Sequence, residues 1–194
     1  DALDEIEREV AATGWSEREF PILRPDGEMR WVSVRAWLVR DADGRPQRIV
    51  GIASDVTDDR KTQELLELRY SALEATANAI MIADRNGYIQ WVNPAFTRMT
   101  GYSLEEARGK NPNALVRSGF YDDEFYSVMW DTILSGQVWM GRLTNRRKDG
   151  TLYTEEQTIT PVRNSAGEIT HFIAIKQDVT ERERTEQLLL EHER

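Results

Sequence analysis

Two stretches of the chain, residues 20–57 and 143–180, carry runs of apolar residues broken at regular intervals by polar turns. Each stretch contains three such runs, and the first turn in each is Asp-Gly. Glycine adopts the positive φ that tight hairpin turns need, so Asp-Gly between two apolar runs is typical of these turns. The pattern therefore predicts three strands joined by hairpins in each stretch.

The two stretches are copies of each other at a constant offset of 123 residues, without gaps. The Asp-Gly turn at 26–27 corresponds to the one at 149–150, and both copies close on Asp-Val-Thr, at 55–57 and 178–180. An internal repeat of this kind predicts two units of the same architecture.

The second copy has about seventy more residues in front of it, at 70–142. Their pattern predicts two strands and several helices: strands at 79–84 and 88–92, a helix that Asn93 caps, a helix with capping-box spacing from Ser103 to Glu106, and an amphipathic helix at 122–136. Only one predicted helix precedes the strands of the first copy. The chain is therefore expected to begin inside a domain.

A further helix is predicted after each closing Asp-Val-Thr. The first, at 58–77, has a wide apolar face that suits packing on a sheet and on a partner helix. The second has capping-box spacing from Thr180 to Glu183 and carries Leu188 and Leu189. It resembles the start of a coiled-coil linker.

Composition narrows the function classes. The net charge of −9 argues against binding to nucleic acid or to anionic membranes. The chain has no cysteine, which excludes disulfides, thiolate metal sites and cysteine nucleophiles. No apolar run approaches the ~20 residues of a membrane span. We expect a cytoplasmic protein, and no nucleophile–base pair, metal cluster or phosphate loop predicts an enzyme.

The segment GYSLEEARGKN at 101–111, the hairpin NRRKDG at 145–150 and the closing Asp-x-Thr together resemble the PAS family of sensory domains. The resemblance implies an α+β fold with a five-stranded antiparallel sheet in the order 2-1-5-4-3, helices on one face, and any ligand between the two. It implies the following division of the chain: a partial PAS domain, the C-terminal half, at 1–57; a linker helix at 58–77; a complete PAS domain at 78–180; and the start of an output helix at 181–194.

Within that family, the spacing Trp-x-Gly-x-x-x-Asn-Arg-Arg-Lys-Asp-Gly at 139–150 is similar to flavin-binding redox PAS domains of nitrogen-fixation regulators and aerotaxis receptors. This resemblance implies non-covalent FAD, in preference to FMN. The residues expected at the cofactor are Trp139, Asn145, Asn111, Arg117, Trp130, Glu155, Lys176, Asn93 and Phe125.

The two-residue period of a strand decides which side chains could meet such a ligand. The period groups the side chains into rows, and the resemblance to flavin-binding PAS domains implies which rows point inward: Trp139, Gly141, Leu143 and Asn145; Tyr153, Glu155 and Gln157; and Phe172, Ala174 and Lys176. In the flavin interpretation, Gly141 leaves room for a ring and the Asn145 amide suits the pyrimidine edge of an isoalloxazine. Glu155 and Lys176 would both be buried in this arrangement, and buried charges need partners. We therefore expect these side chains to contact a polar edge of the ligand or to form an ion pair with each other.

Structural interpretations stand beside these. Trp139 and Trp130 could be core residues, and Asn93 is foremost a helix cap. Arg117 suits the pyrophosphate of FAD, since arginine binds phosphate well, whereas Arg146 and Arg147 are expected to be solvated hairpin residues. Asn111 fits either a loop-forming or a cofactor-contacting role.

Two related cofactor chemistries are disfavoured. Haem-binding PAS domains usually take an axial histidine from the helices, and no histidine lies between 94 and 137. His171 and His192 are expected at the surface or at a strand edge. Light-oxygen-voltage domains, the photochemical branch, need a cysteine where this chain has Pro112, so no flavin adduct can form.

The sequence therefore predicts a module that senses redox state or oxygen through a flavin and relays the signal through helical linkers to an effector that is absent from this chain. The alternative is a ligand-free PAS module for dimerisation and signal relay. In both interpretations the open strand edge of the half domain and the apolar linker helix predict a homodimer.

Overall fold

The structure is a computed structural model that describes residues 2–192. The chain forms two compact units, Asp1–Arg69 and Tyr70–Arg194. None of the helices among the described residues is long and apolar enough to cross a membrane.

The first unit is a helix followed by three antiparallel strands, as the repeat predicts. Helix α1 (Ala2–Thr13) precedes strands β1 (Trp15–Leu23), β2 (Met29–Arg40) and β3 (Pro46–Asp55), which form one sheet in the order β1-β2-β3. Its small core is formed by Ile6 and Val10 of α1 against Ala36 of β2. The predicted Asp-Gly turn is present, with Gly27 at a φ of 85°.

Strand β3 is one of the two edges of this sheet. Within the part of the chain that the structure describes, β3 pairs only with β2, and every residue from Pro46 to Asp55 is exposed. Large apolar side chains are among them, including Ile52 at 62 % exposure. The edge that the sequence predicts to be unpaired is thus unpaired in the structure.

Helix α2 (Thr57–Ala75) follows, close to the predicted 58–77. Its buried residue is Thr57, and the apolar residues along it are exposed: Leu65, Leu66, Leu68, Tyr70 and Leu73.

The second unit contains the complete sheet. Its elements in chain order are β4 (Ala79–Asp84), β5 (Ile89–Val92), α3 (Pro94–Thr100), α4 (Leu104–Ala107), α5 (Pro112–Val116), α6 (Asp123–Leu134), β6 (Trp139–Arg146), β7 (Leu152–Arg163), β8 (Ile169–Asp178) and α7 (Thr180–His192). The strands lie antiparallel in the order β5-β4-β8-β7-β6. Numbered within the unit, this order is 2-1-5-4-3, which confirms the fold that the resemblance implies.

The main core lies between this sheet and helices α3 to α6. Phe96 of α3 and Ile133 of α6 pack with Ile89, Tyr153 and Phe172 of the sheet, and all five are at most 3 % exposed.

The capping box predicted at the start of α4 is present, with Ser103 accepting from the Glu106 N–H and Glu106 from the Ser103 N–H.

The capping box predicted at the start of α7 is wrong. The Thr180 hydroxyl accepts a hydrogen bond from the Thr154 N–H of β7 and donates to Asp178, so it is not free to cap the helix. The Asp178 carboxylate accepts from the Thr180 N–H instead, and Glu183 pairs with Arg142. Asp55 and Thr57 make the equivalent contacts at the start of α2.

Each of these helices is also tied to the face of its own sheet that points away from the core. In the first unit, Arg60 of α2 pairs with Glu19 of β1, with N and O atoms 3.1 Å apart. In the second unit, Glu183 of α7 pairs with Arg142 of β6 at 2.6 Å. The four residues occupy corresponding positions of the repeat, but the charges are exchanged.

Candidate functional site

A cavity lies in the second unit between the sheet and helices α5 and α6. The cavity has a volume of about 60 Å³. A single water molecule needs ~15 Å³ of such volume, so this space is larger than a packing defect. Its walls are mainly apolar and include Met81 of β4, Met129 and Trp130 of α6, and Phe172 of β8.

One end of the cavity is polar. Asn145, Gln157 and Lys176 line it from strands β6, β7 and β8. The Lys176 ammonium donates to Glu155 Oε1 at 2.6 Å and to the Gln157 side-chain carbonyl, and Asn145 Nδ2 donates to the same Glu155 oxygen at 3.2 Å. Glu155 is fully buried and Lys176 is 3 % exposed, so this is an ion pair without solvent. The polar members of the expected inward rows, Asn145, Glu155, Gln157 and Lys176, thus form one connected cluster.

Two buried oxygen atoms beside this cluster have no hydrogen-bond partner among the described residues. They are the second carboxylate oxygen of Glu155, Oε2, and the hydroxyl of Tyr153. Burial, and then the negative charge of Glu155, raise the pKa of Tyr153, so its phenol remains protonated and able to donate. An unpaired buried polar group costs about 1–3 kcal/mol, which a water or a polar ligand atom would offset.

The fold alone does not require this polar cluster. In the first unit, the repeat places Val32 at the position of Glu155, Val34 at that of Gln157 and Ala53 at that of Lys176. These residues support the same three-stranded arrangement with apolar or small side chains. The charged residues of the second unit therefore need an explanation other than strand formation.

Trp139 and Phe125 do not line the cavity. The indole of Trp139 lies over Gly141, where a Cβ atom would collide with it. The room that Gly141 leaves is therefore filled by Trp139 itself, and not by open space for a ligand. Phe125 contacts Trp139 edge-to-face with ring centroids 6.0 Å apart, so both residues pack at the edge of the core.

Trp130 does line the cavity, and a glycine that sequence analysis did not identify allows it. Gly87 lies in the turn between β4 and β5 at a φ of 83°, and a Cβ atom there would collide with the Trp130 ring. Trp130 also meets Phe172 edge-to-face at 5.8 Å. The Arg-Asn-Gly sequence at 85–87 indicates a turn that needs glycine, but it does not show that this turn packs against Trp130 of helix α6.

The two asparagines differ in their surroundings. Asn93 caps α3, accepting from the N–H groups of Phe96 and Ile80, and its amide nitrogen donates to the Leu73 and Asn78 carbonyls. Its polar atoms are thus used within the protein, and it does not line the cavity. Asn111 caps α5 by accepting from the Asn113 N–H, and it lines the cavity.

Arg117 lies outside the cavity lining. Its guanidinium pairs with Asp123 at 2.9 Å and lies 4.7 Å from the ring centroid of Tyr126, which lines the cavity. To bind a phosphate, Arg117 would have to exchange its contact with the exposed Asp123.

Arg147 contradicts the expectation of a solvated hairpin residue. Its guanidinium lies 4.5 Å from the Tyr153 ring centroid, donates to the Met99 carbonyl and pairs with Asp178 at 2.6 Å. Burial opposes ionisation of Asp178, but hydrogen bonds from Arg147 and Thr180 outweigh it and lower the pKa of this carboxyl. Arg147 therefore links a buried ring beside Glu155 to the residue that caps α7.

The sequence profile of the PAS fold matches residues 67–179, and a second PAS fold profile matches residues 2–53. A nitrogen fixation regulatory protein of Klebsiella oxytoca is 40 % identical over 131 residues, which cover 68 % of this chain and 26 % of the relative. The sensor protein FixL of Bradyrhizobium diazoefficiens is 29 % identical over 195 residues, covering 96 % and 38 %.

A solved PAS domain from Colwellia psychrerythraea is 26 % identical with a TM-score of 0.54, over 60 % of this chain and 98 % of that one. The chain spans about a quarter of the length of the nitrogen fixation regulatory protein it matches. Since the family profile covers more than half of the residues and the sheet has the expected order, the chain belongs to the PAS family.

Proposed function

We propose that the second unit senses redox state or oxygen through a flavin bound non-covalently between the sheet and the helices. The observation that carries this is the cavity, which has apolar walls and a polar end formed by Asn145, Gln157 and Lys176. Such a combination is typical of small-molecule and cofactor sites. The similarity to a nitrogen fixation regulatory protein supports the same class of function.

The residues present fit a flavin ring in their chemistry. Asn145, Gln157 and Lys176 would hold its polar edge, while Trp130 and Phe172 would contact its apolar part. A bound flavin supplies electron transfer, which no amino-acid side chain of the cluster offers. The flexible side chains Met81 and Met129 line the cavity and can adjust to a larger ring.

FAD is proposed in preference to FMN because Arg117 stands next to Tyr126, just outside the cavity lining. An arginine there can bind the pyrophosphate of the dinucleotide bidentately. Arg117 exchanges its exposed partner Asp123 for the phosphate in this proposal.

The proposed output runs along β8. Lys176 contacts the ligand, and two residues later Asp178 holds the start of α7 and accepts from Arg147. A change in the charge of the ligand would alter the Lys176–Glu155 contact and, through β8, the cap of α7. The effector that reads α7 belongs to a longer protein in this proposal.

A ligand-free relay module is the second candidate, and the Glu155–Lys176 ion pair favours it. The two charges neutralise each other at 2.6 Å without any ligand. The two candidates differ in one simple property, because only the first requires a yellow protein.

We expect the protein, purified gently, to show flavin absorbance and to release FAD on denaturation. Asn145→Ala is expected to weaken flavin retention about tenfold, since it removes one hydrogen-bonding group worth ~1–1.5 kcal/mol. Asn86→Ala, in an exposed turn, is the control. A folded protein that contains no flavin and takes up none would leave the ligand-free relay as the function.

Illumination is expected to produce no reversible flavin–cysteinyl adduct. Pro112 begins α5 and lines the cavity at the place where the related photochemical domains need a thiol, and the chain has no cysteine. Absorption spectra before and after blue light are the measurement. An adduct band that decays in the dark would contradict the assignment of Pro112.

The protein is expected to be a homodimer through the apolar residues of α2. Leu66 is 58 % exposed and Leu73 is 39 % exposed. They share one side of α2 with Tyr70, and the helix buries little of this side. Leu66→Glu with Leu73→Glu should weaken the dimer at least about tenfold, since each charge opposes burial. Ser71→Glu, at an exposed position on another side of α2, is the control. Light scattering that gives a monomer of 22.4 kDa for the unaltered protein would refute the dimer.

A further inference from the structure

The charged residue that the cavity presents to a ligand is a cation. Of the Lys176–Glu155 pair, Lys176 lines the cavity, whereas Glu155 stands behind it and is fully buried. The residues that share the lining with Lys176 are apolar or neutral, with Asn145 and Gln157 at the polar end. Among the described residues, a ligand in this cavity therefore contacts the positive member of the pair directly, and the Glu155 carboxylate lies behind that ammonium, outside the lining.

The ammonium group also has capacity for another acceptor. Lysine has three N–H donors, and the structure gives Lys176 two acceptors, Glu155 Oε1 and the Gln157 carbonyl. Gln157 is neutral, so exchanging it for an acceptor on the ligand leaves the ion pair with Glu155 in place. The third donor and this exchangeable contact allow Lys176 to bind a ligand edge without losing its counter-ion.

Apart from Lys176 and Glu155, the titratable groups around this end of the cavity are neutral or paired. Tyr153 of β7, which lies outside the lining, is protonated because burial and the charge of Glu155 raise its pKa. Burial also raises the pKa of Tyr126, which lines the cavity from α6. Strand β4 contributes apolar residues there, including Met81 and Ala83. On its own strand, Lys176 is followed at the next inward position by Asp178, which Arg147 neutralises.

We infer that Lys176 determines which charge state of the ligand the site prefers, and that it selects the state in which the ring carries one negative charge. This inference rests on the proposed flavin function. If a flavin is bound, two electrons from a dissolved reductant such as dithionite, with one proton from solvent, would convert the ring to that anion, and the reductant would be oxidised. Because the site is shielded from water, attraction between this anion and the ammonium is stronger than in solution.

The consequence is a higher midpoint potential in the presence of Lys176. Binding the reduced anion about ten times better than a site without the cation raises the two-electron potential by ~30 mV. The number of protons that the flavin takes up with two electrons changes as well. One proton per two electrons gives a slope of about 30 mV per pH unit, and two protons give about 59 mV.

The test uses the protein with its flavin, reduced anaerobically by dithionite against dyes of known potential between pH 6 and pH 9. The variant is Lys176→Met with Glu155→Gln, which removes both charges so that no buried ion is left unpaired. We expect a potential about 30 mV lower at pH 7 and a slope that rises from about 30 to about 59 mV per pH unit. If that variant does not fold, Lys176→Gln with Glu155→Gln also removes both charges and keeps a hydrogen-bonding side chain at position 176.

Two controls separate charge from structure. Lys176→Arg keeps the cation and is expected to retain the slope of the unaltered protein, and Lys148→Met removes an exposed cation and is expected to change nothing. An unchanged potential and slope in the flavin-loaded double variant would overturn the role of Lys176 alone. An unaltered protein that binds no flavin would overturn the proposed function itself, and the role of Lys176 with it.

Discussion

Lys176→Met is expected to lower the free energy of unfolding of the second unit by about 3–5 kcal/mol, because it leaves the fully buried Glu155 without its cation. The double variant Lys176→Met with Glu155→Gln should recover most of this loss, since neither charge then remains. Urea unfolding followed by tryptophan fluorescence measures the free energies of the unaltered protein, of Lys176→Met, of Glu155→Gln and of the double variant, and the non-additivity gives the coupling of the pair.

The matched control is Lys148→Met, whose partner Glu106 lies in an ion pair with side chains 49 % and 40 % exposed. Its loss should stay below about 1 kcal/mol, because exposed ion pairs are screened by water. Similar small losses at Lys148 and Lys176 would show that the inner pair is hydrated, and would remove the argument that the cavity holds a buried charge.

Asn93→Ala is expected to destabilise the second unit by about 2–4 kcal/mol without changing its ligand content. The asparagine is 1 % exposed, and its loss removes the side-chain oxygen that accepts from the buried N–H groups of Ile80 and Phe96. The Phe96 N–H keeps the Asn93 main-chain carbonyl at 3.1 Å, so the unsatisfied donor is that of Ile80. Helix-cap loss and this unsatisfied buried donor together account for the magnitude.

Here Asn86→Ala serves as the exposed control, with an expected change within ±0.5 kcal/mol. Flavin released per folded protein is the second measurement. If Asn93→Ala emptied the site while the urea midpoint stayed the same, Asn93 would contact the ligand and its capping role would be secondary.

The sheet and its inward rows could be predicted because both depend on local rules. Successive side chains of a strand point to opposite faces, so placing Asn145 in the core also places Leu143 there, and the Asp-Gly turn fixes where β6 ends. The repeat supplied a second instance of strands β6, β7 and β8. The cost of leaving a buried charge unpaired predicted either a polar ligand edge or the Glu155–Lys176 pair, and the pair is present in the structure.

The contacts that sequence analysis missed join residues far apart in the chain. Arg147 begins an apparently ordinary hairpin turn, yet it reaches Met99 and Asp178, and no local pattern encodes those distances. Likewise the need for Gly87 depends on the Trp130 ring of another element. Thr180 has the spacing of a helix cap, but a strand N–H occupies its hydroxyl.

The exchanged charges of Glu19–Arg60 and Arg142–Glu183 have a consequence for how the repeat diverged. Exposed pairs of this kind contribute about 0.2–1 kcal/mol each, so an ancestor with two like charges at these positions would still have folded. Either substitution could therefore come first, and the polarity of this contact was free to drift after duplication. The Lys176–Glu155 pair differs, because replacing either residue alone leaves the other as a buried ion without a counter-ion. We therefore expect the two residues to be replaced together or to be retained together.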